Sequence, residues 1–170
     1  MPDVSRYETI IKDLESGTYP TLALRIGTQD ITPGAKIAKN DTTQTPTLSA
    51  PADLLEGTYA VISLDIDAPF RSWNVLSPIV HWIQTDLTSN SKDLGLESSG
   101  VPVVPWLPAG PPPGAAPHRY LFLLYRQGEL MEKQEGASLT RLQRMRFDVD
   151  GMVGRLGLGE IVAVNYFVAN

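Results

Sequence analysis

Four side chains pose the chemical question: Asp65 and Asp67 in the run TYAVISLDIDAP, and the chain's two histidines, His81 and His118. Residues two apart on a strand share a face, so both aspartates are expected to point the same way where that strand ends. Two carboxylates so close raise each other's proton affinity, and a neighbouring cation or hydrogen-bond donor would relieve that. Two aspartates ahead of Ala-Pro also read simply as a turn, and taken alone that is the better reading. His81 lies between Val80 and Trp82 in an apolar strand, where a lone histidine is normally a core residue bonded to backbone. His118 differs. It follows GPPPGAAP at a strand start, where side chains reach a rim, and Tyr120 two residues on should share its face. Proline lacks an N–H, so that stretch cannot join a central ladder; it is either a stiff wall beside a cleft or a plain rigid loop.

The elements that must position these groups are mostly strands. Val4, Tyr7, Ile10, Ile11 and Leu14 have helical spacing, and Gly17 is placed to stop that helix. Residues 21–26 alternate as a strand, and 27–51 have the Thr, Pro, Asn, Asp and Ser content of loops and short edge strands. Segments 58–66, 79–85, 119–126 and 161–168 are rich in β-branched or aromatic residues and predict strands. Residues 139–156 predict one helix, with Leu142, Met145, Val149 and Val153 on a stripe and Gly157 and Gly159 beyond it. The expected architecture is a mostly β, antiparallel β-sandwich with peripheral N-terminal and C-terminal helices, in one domain over residues 1–170. The long 86–117 connection is where a partner or specificity surface would be sought.

Composition narrows the function classes. An apolar fraction of 42% and a charged fraction of 19% are globular values. A net charge of -5 argues against nucleic acid and anionic membrane surfaces, though a local anion site is still allowed. With no cysteine, disulfides, thiolate catalysis and cysteine zinc sites are excluded, which fits a cytoplasmic protein. The N-terminal residues lack the basic and apolar regions of a signal peptide, and no apolar run approaches the roughly 18 residues of a membrane span. Asn40-Asp41-Thr42 is a glycosylation triplet of a kind common by chance. Without a phosphate loop or HExxH there is no expected cofactor, and nothing in the spacing demands a metal at His81, His118 and one aspartate.

Three blocks together carry a resemblance. DIDAP at 65–69, VHWIQTDL at 80–87 and GPPPGAAPHRYLFLLYRQ at 110–127 resemble signatures of the phosphatidylethanolamine-binding protein family. The likeness extends to TPTLSAPADLLEGTYAVISLDIDAP before them and RFDVDGMVGRLGLGEIVAVNYFVAN after them, which is most of the chain. It implies a β-sandwich with a small rim pocket for anionic groups, lined by Asp65, Asp67, His81, Gly110, Pro111, Pro112, His118 and Tyr120. Both histidines would be pushed towards the charged form by the aspartates and donate to an oxyanion, with Pro112 and Trp82 in apolar contact. Loop N–H groups at Gly110 or Gly114 would complete an anion nest.

The chain departs from the family at two places. Ile66 stands where the family has the first proline of Asp-Pro-Asp-Ala-Pro. A non-proline cis bond there would cost about 3–4 kcal/mol, so a trans bond and an altered corner are expected. Leu76 stands near the place of a family tyrosine, which makes the mouth more apolar. A small carboxylate or phosphate ligand is therefore the leading expectation. The alternative is His81 and His118 as acid–base catalysts that condense or dimerise maleic-anhydride-type polyketide units, as implied by a likeness to fungal members. A third reading is a regulator of kinases or other signalling partners.

Overall fold

The computed structural model describes residues 3–54, 56–89, 94–129, 136 and 138–170. Helix α1 (Ser5–Glu15) buries Tyr7, Ile11 and Leu14 on one stripe. It ends where Gly17 takes φ 81° and its N–H donates to the Leu14 carbonyl, a left-handed turn that glycine adopts without strain. Four short strands follow, β1 (Ala23–Ile26), β2 (Gln29–Ile31), β3 (Ala35–Ile37) and β4 (Thr47–Ser49), with a 3-10 turn at Lys39–Thr42 before the last. The long strands are β5 (Thr58–Asp65), β6 (Ile79–Ser89), β8 (His118–Gln127) and β9 (Leu158–Ala169), with short β7 (Gly95–Glu97) between β6 and β8. Helices α2 (Arg141–Arg144) and α3 (Val149–Arg155) precede β9.

The nine strands found among the described residues form one hydrogen-bonded series, β2-β1-β4-β7-β6-β5-β8-β9-β3. That corrects the expected pair of antiparallel sheets: the strands make one nearly closed sheet, and the β3–β9 pairing is parallel. Leu22 donates to the Val164 carbonyl and Val164 to that of Pro20, so the chain entering β1 lies against β9. The curl gives the molecule two cores. Tyr59, Val61, Trp82, Phe122 and Phe167 point towards Leu24, Ile31 and Leu48 of the short strands. On the opposite face Ile62, Leu64, Ile83, Leu121 and Leu123 pack under Tyr7, Ile11 and Leu14 of α1 and Val149 and Met152 of α3. Alternation along β5 and β8 serves both, and truncating a fully buried residue such as Leu121 to Ala would cost about 2–5 kcal/mol.

Two further expectations change. The single helix over 139–156 is two helices, because Met145 is extended and Arg146 takes φ 50°. The break is held by tertiary bonds: Arg146 N–H donates to the Leu76 carbonyl and Phe147 N–H to that of Pro78. Asp148 then caps α3 by accepting from Gly151 N–H at 2.9 Å, and Leu142 lies exposed rather than on a buried stripe. The 86–117 connection is also more ordered than its composition suggests. β6 runs through Ser89, β7 pairs with both β4 and β6, and Val104 pairs with Ile83; residues 90–93 lie outside the described residues. No described helix is long and apolar enough to cross a membrane.

Candidate functional site

The C-terminal end of β5 and the N-terminal end of β8 meet beside the start of β6, and each contributes a titratable group. Asp65 is the last residue of β5 and stands opposite Tyr120 on β8 and Ile79 on β6. His81 occupies a bulge in β6: Ser63 pairs with Trp82 and Leu64 with Val80, which leaves His81 as the extra residue. A bulge shifts the alternation by one and re-aims a side chain. Here it brings the His81 ring against Tyr120, edge to face at 5.0 Å, and 6.1 Å from Trp106.

The surroundings shift the two histidines in opposite directions. His81 Nδ1 lies 2.6 Å from the Leu107 carbonyl, to which it donates, and Nε2 has no hydrogen-bond partner among the described residues. Burial lowers the His81 pKa and nearby Arg144 and His118 add to that, outweighing Asp65 and the Leu107 carbonyl. The expected charged form of His81 is thus corrected, because desolvation wins. His118 Nδ1 donates to Asp65 Oδ2 at 2.9 Å and Nε2 to the Pro69 carbonyl at 3.1 Å. Burial opposes its charge, but the Asp65 hydrogen bond, the Asp65 and Asp67 charges and the Pro69 carbonyl together raise its pKa. Both His118 nitrogens already have partners. Its side chain is 1% exposed, so it is a buried residue rather than the expected rim residue.

Asp67 goes elsewhere. Its N–H donates back to Asp65 Oδ1 at 2.9 Å, so the chain turns out of the strand and the two-residue alternation no longer applies. Its carboxylate accepts from the Arg119 backbone N–H and takes the guanidinium through both oxygens, at 2.8 and 2.7 Å. Arg119 also reaches Glu8 of α1. Ile66 N–H donates to the Arg119 carbonyl at 3.3 Å, a bond that a proline could not make, and its side chain is fully buried. The Asp65–Ile66 bond is trans; among the described residues the cis bonds are Ala68–Pro69 and Ser77–Pro78.

Between these elements lies a cavity of about 180 Å³. Of the eight residues implied by the family likeness, Asp65, His81, Gly110, Pro112 and His118 line it, whereas Asp67, Pro111 and Tyr120 do not. Tyr120 stands behind the wall: its oxygen accepts from Gly110 N–H at 3.3 Å, and burial with the nearby Asp65 charge raises its pKa. The Gly110 N–H is therefore taken, and neither Gly114 nor Trp82 reaches the cavity. Most of the remaining wall is apolar, from Leu76, Ile79, Leu107, Pro108 and Met145. Sequence reasoning missed Arg141 and Met145, which come from α2 and its C-terminal flank. It also missed Arg144, whose buried guanidinium donates to the Val80, His81 and Pro105 carbonyls. No signal in 139–156 separates Arg141 from a solvated helix cation; a buried Arg144 could be suspected from the apolar company it keeps. Among the described residues no group of three His, Cys, Asp or Glu side chains could hold a metal.

Comparison with known proteins settles the ancestry. A family model described as phosphatidylethanolamine-binding protein matches residues 27–167. The chain belongs to this family. A member from Talaromyces stipitatus, "Phomoidride biosynthesis cluster protein N", is 32% identical over 117 residues, 65% of this chain and 58% of that protein. The chain thus spans less than two thirds of that relative. Among solved structures, a carboxypeptidase Y inhibitor complexed with its cognate proteinase aligns with a TM-score of 0.69 at 19% identity, covering 97% of this chain and 92% of the other. The family member from Plasmodium vivax aligns at 0.68 and 16% identity, covering 94% and 96%. Both likenesses are of fold.

Proposed function

We propose that this family member binds a small oxyanion with an apolar body, a carboxylate or phosphate, against His81. The observation that carries this is an imidazole tethered by Nδ1 to the Leu107 carbonyl, with Nε2 unpaired among the described residues, on a residue that lines a mostly apolar cavity; burial lowers its pKa and favours the neutral form. Asp65 and His118 neutralise each other, while Arg141 on the wall and Arg144 behind it leave the local balance positive in a chain of net charge -5. An anion arriving at neutral His81 is best held when Nε2 takes up a proton and donates it to the ligand oxygen. Binding is then linked to proton uptake, and affinity falls by up to tenfold per pH unit as pH rises above the His81 pKa of the empty site. The groups that set this balance are Asp65, Arg144 and His118.

The test is calorimetric titration with inorganic phosphate and with butyrate, in two buffers of different ionisation enthalpy, alongside the imidazole NMR signals. Uptake of a fraction of a proton with a moving His81 signal is expected. Saturation with a still His81 signal would overturn the reading.

A second reading is supported by the His81 geometry and by the biosynthetic name of the Talaromyces relative. Nε2 of a neutral, tethered imidazole can act as general base towards an acidic C–H beside a carbonyl, the step that starts condensation of maleic-anhydride-type units. Wild-type protein is then expected to speed deuterium exchange at that carbon in D₂O, and His81→Gln to lose the effect. The proteinase complex of the carboxypeptidase Y inhibitor supports a protein partner as a separate proposal, with the 86–117 connection as the surface to vary.

A further inference from the structure

Helix α2 is four residues long, far below the length at which a helix holds itself together. It is fixed from both ends. Thr140 and Gln143 cap the N-terminal turn reciprocally, side chain to backbone in each direction. At the other end Arg144 donates to the Val80 and His81 carbonyls, both at 3.2 Å, and to the Pro105 carbonyl at 2.9 Å. None of its partners is a carboxylate. Such a cation is costly to bury, and here it ties α2 to the bulge that carries His81. Arg141 is one turn earlier on the same helix; it is an exposed residue that lines the mouth of the cavity. Among the described residues it has no hydrogen bond or ion pair. The site thus has two groups able to donate to an oxyanion, His81 from β6 and Arg141 from α2. Leu76, Ile79, Leu107 and Met145 share the wall with them and provide no side-chain polar partner.

We infer that Arg141 is a second anion contact, so that the preferred ligand is a dicarboxylate with a short apolar link, one end at His81 and the other at Arg141. This rests on the proposed anion reading of the cavity and adds the ligand class to it. A guanidinium suits the second position because its planar fork takes a carboxylate through two hydrogen bonds. Arg144 acts as a positioning residue, since it holds α2 where Arg141 can reach the ligand.

Butyrate and succinate separate the two ideas, because succinate replaces the butyrate methyl end with a second carboxylate. Both would be titrated into wild-type protein, Arg141→Gln and Arg141→Lys, with the His81 ring signals followed by NMR. The expected result is about tenfold tighter binding of succinate by the wild type, the worth of one charge-assisted contact. Arg141→Gln should bind both alike, at the wild-type butyrate affinity, and Arg141→Lys should recover part of the preference. Equal affinities in the wild type, or equal loss of both ligands in Arg141→Gln, would overturn the inference while leaving the anion reading intact. If neither acid moves the His81 signal, the anion reading falls and the inference falls with it.

Discussion

Two buried ion pairs are built from neighbouring residues of the same two segments, and they have opposite uses. Asp65 with His118 lines the cavity; Asp67 with Arg119, two residues further along the first segment and one along the second, is turned away from it and tied to α1 through Glu8. The cations make the difference. Arginine stays charged at any physiological pH and grips a carboxylate with a rigid fork, so Asp67–Arg119 works as a staple. Histidine titrates near neutrality, so Asp65–His118 responds to pH. A strand end therefore supplies a fastening and a sensitive group side by side, and the residue type decides which is which.

The largest effect should come from the staple. Arg119→Leu leaves the Asp67 carboxylate buried without its cation, and such a change costs about 3–5 kcal/mol. Denaturant unfolding measures it, and the double variant Asp67→Leu with Arg119→Leu should recover much of the loss. If the single variant costs no more than a surface change, the two pairs do not differ as argued.

The responsive pair should give a smaller, pH-dependent loss. His118→Gln removes the donor to Asp65 and is expected to cost about 1–3 kcal/mol at pH 6. The fold raises the His118 pKa above 6.5, so its contribution is complete below 6.5 and fades as pH rises through the folded value. The wild-type advantage over this variant should accordingly shrink towards pH 8. A rim residue would have cost almost nothing on replacement by Ala; at 1% exposure His118→Ala should clearly lower the melting temperature.

His81 tilts the other way. Its folded pKa lies below 6.5, so the stability of its neutral form is present above 6.5 and is lost as pH falls through the folded value. His81→Gln should flatten the acid side of the stability profile relative to wild type while abolishing proton uptake on phosphate binding. An unchanged acid limb would argue that His81 is already charged in the fold.

The smallest effect is expected at the exposed Arg25–Asp30 pair, 2.6 Å apart on the solvent side of β1 and β2. Asp30→Asn should leave the unfolding midpoint unmoved within error, since solvent screens such pairs. A clear shift there would mean that burial is not what separates weak pairs from strong ones in this molecule.

Much of this was legible along the chain. The β-branched and aromatic content of 58–66, 119–126 and 161–168 marks the central strands, because a strand between two cores must show an apolar side to each. The spacing of Tyr7, Ile11 and Leu14, with Gly17 beyond, marks α1 for the same local reason. The motif residues Asp65, His81, Gly110, Pro112 and His118 could be gathered from the family likeness alone, and they surround one cavity. Pairing between distant segments decided the rest. The bulge that re-aims His81 is a register event between β5 and β6, so His81 taken alone looks like a core histidine. The break at Met145–Asp148 is stabilised by bonds to Leu76 and Pro78, which no helical spacing can report. The fates of Asp65 and Asp67 depended on which cation each met, and Arg141 joined the site because Arg144 fastened its helix to three carbonyls from other segments. Local patterns depend on neighbours along the chain and can be read there; charge states and cavity walls depend on neighbours in space, and only the folded chain supplies those.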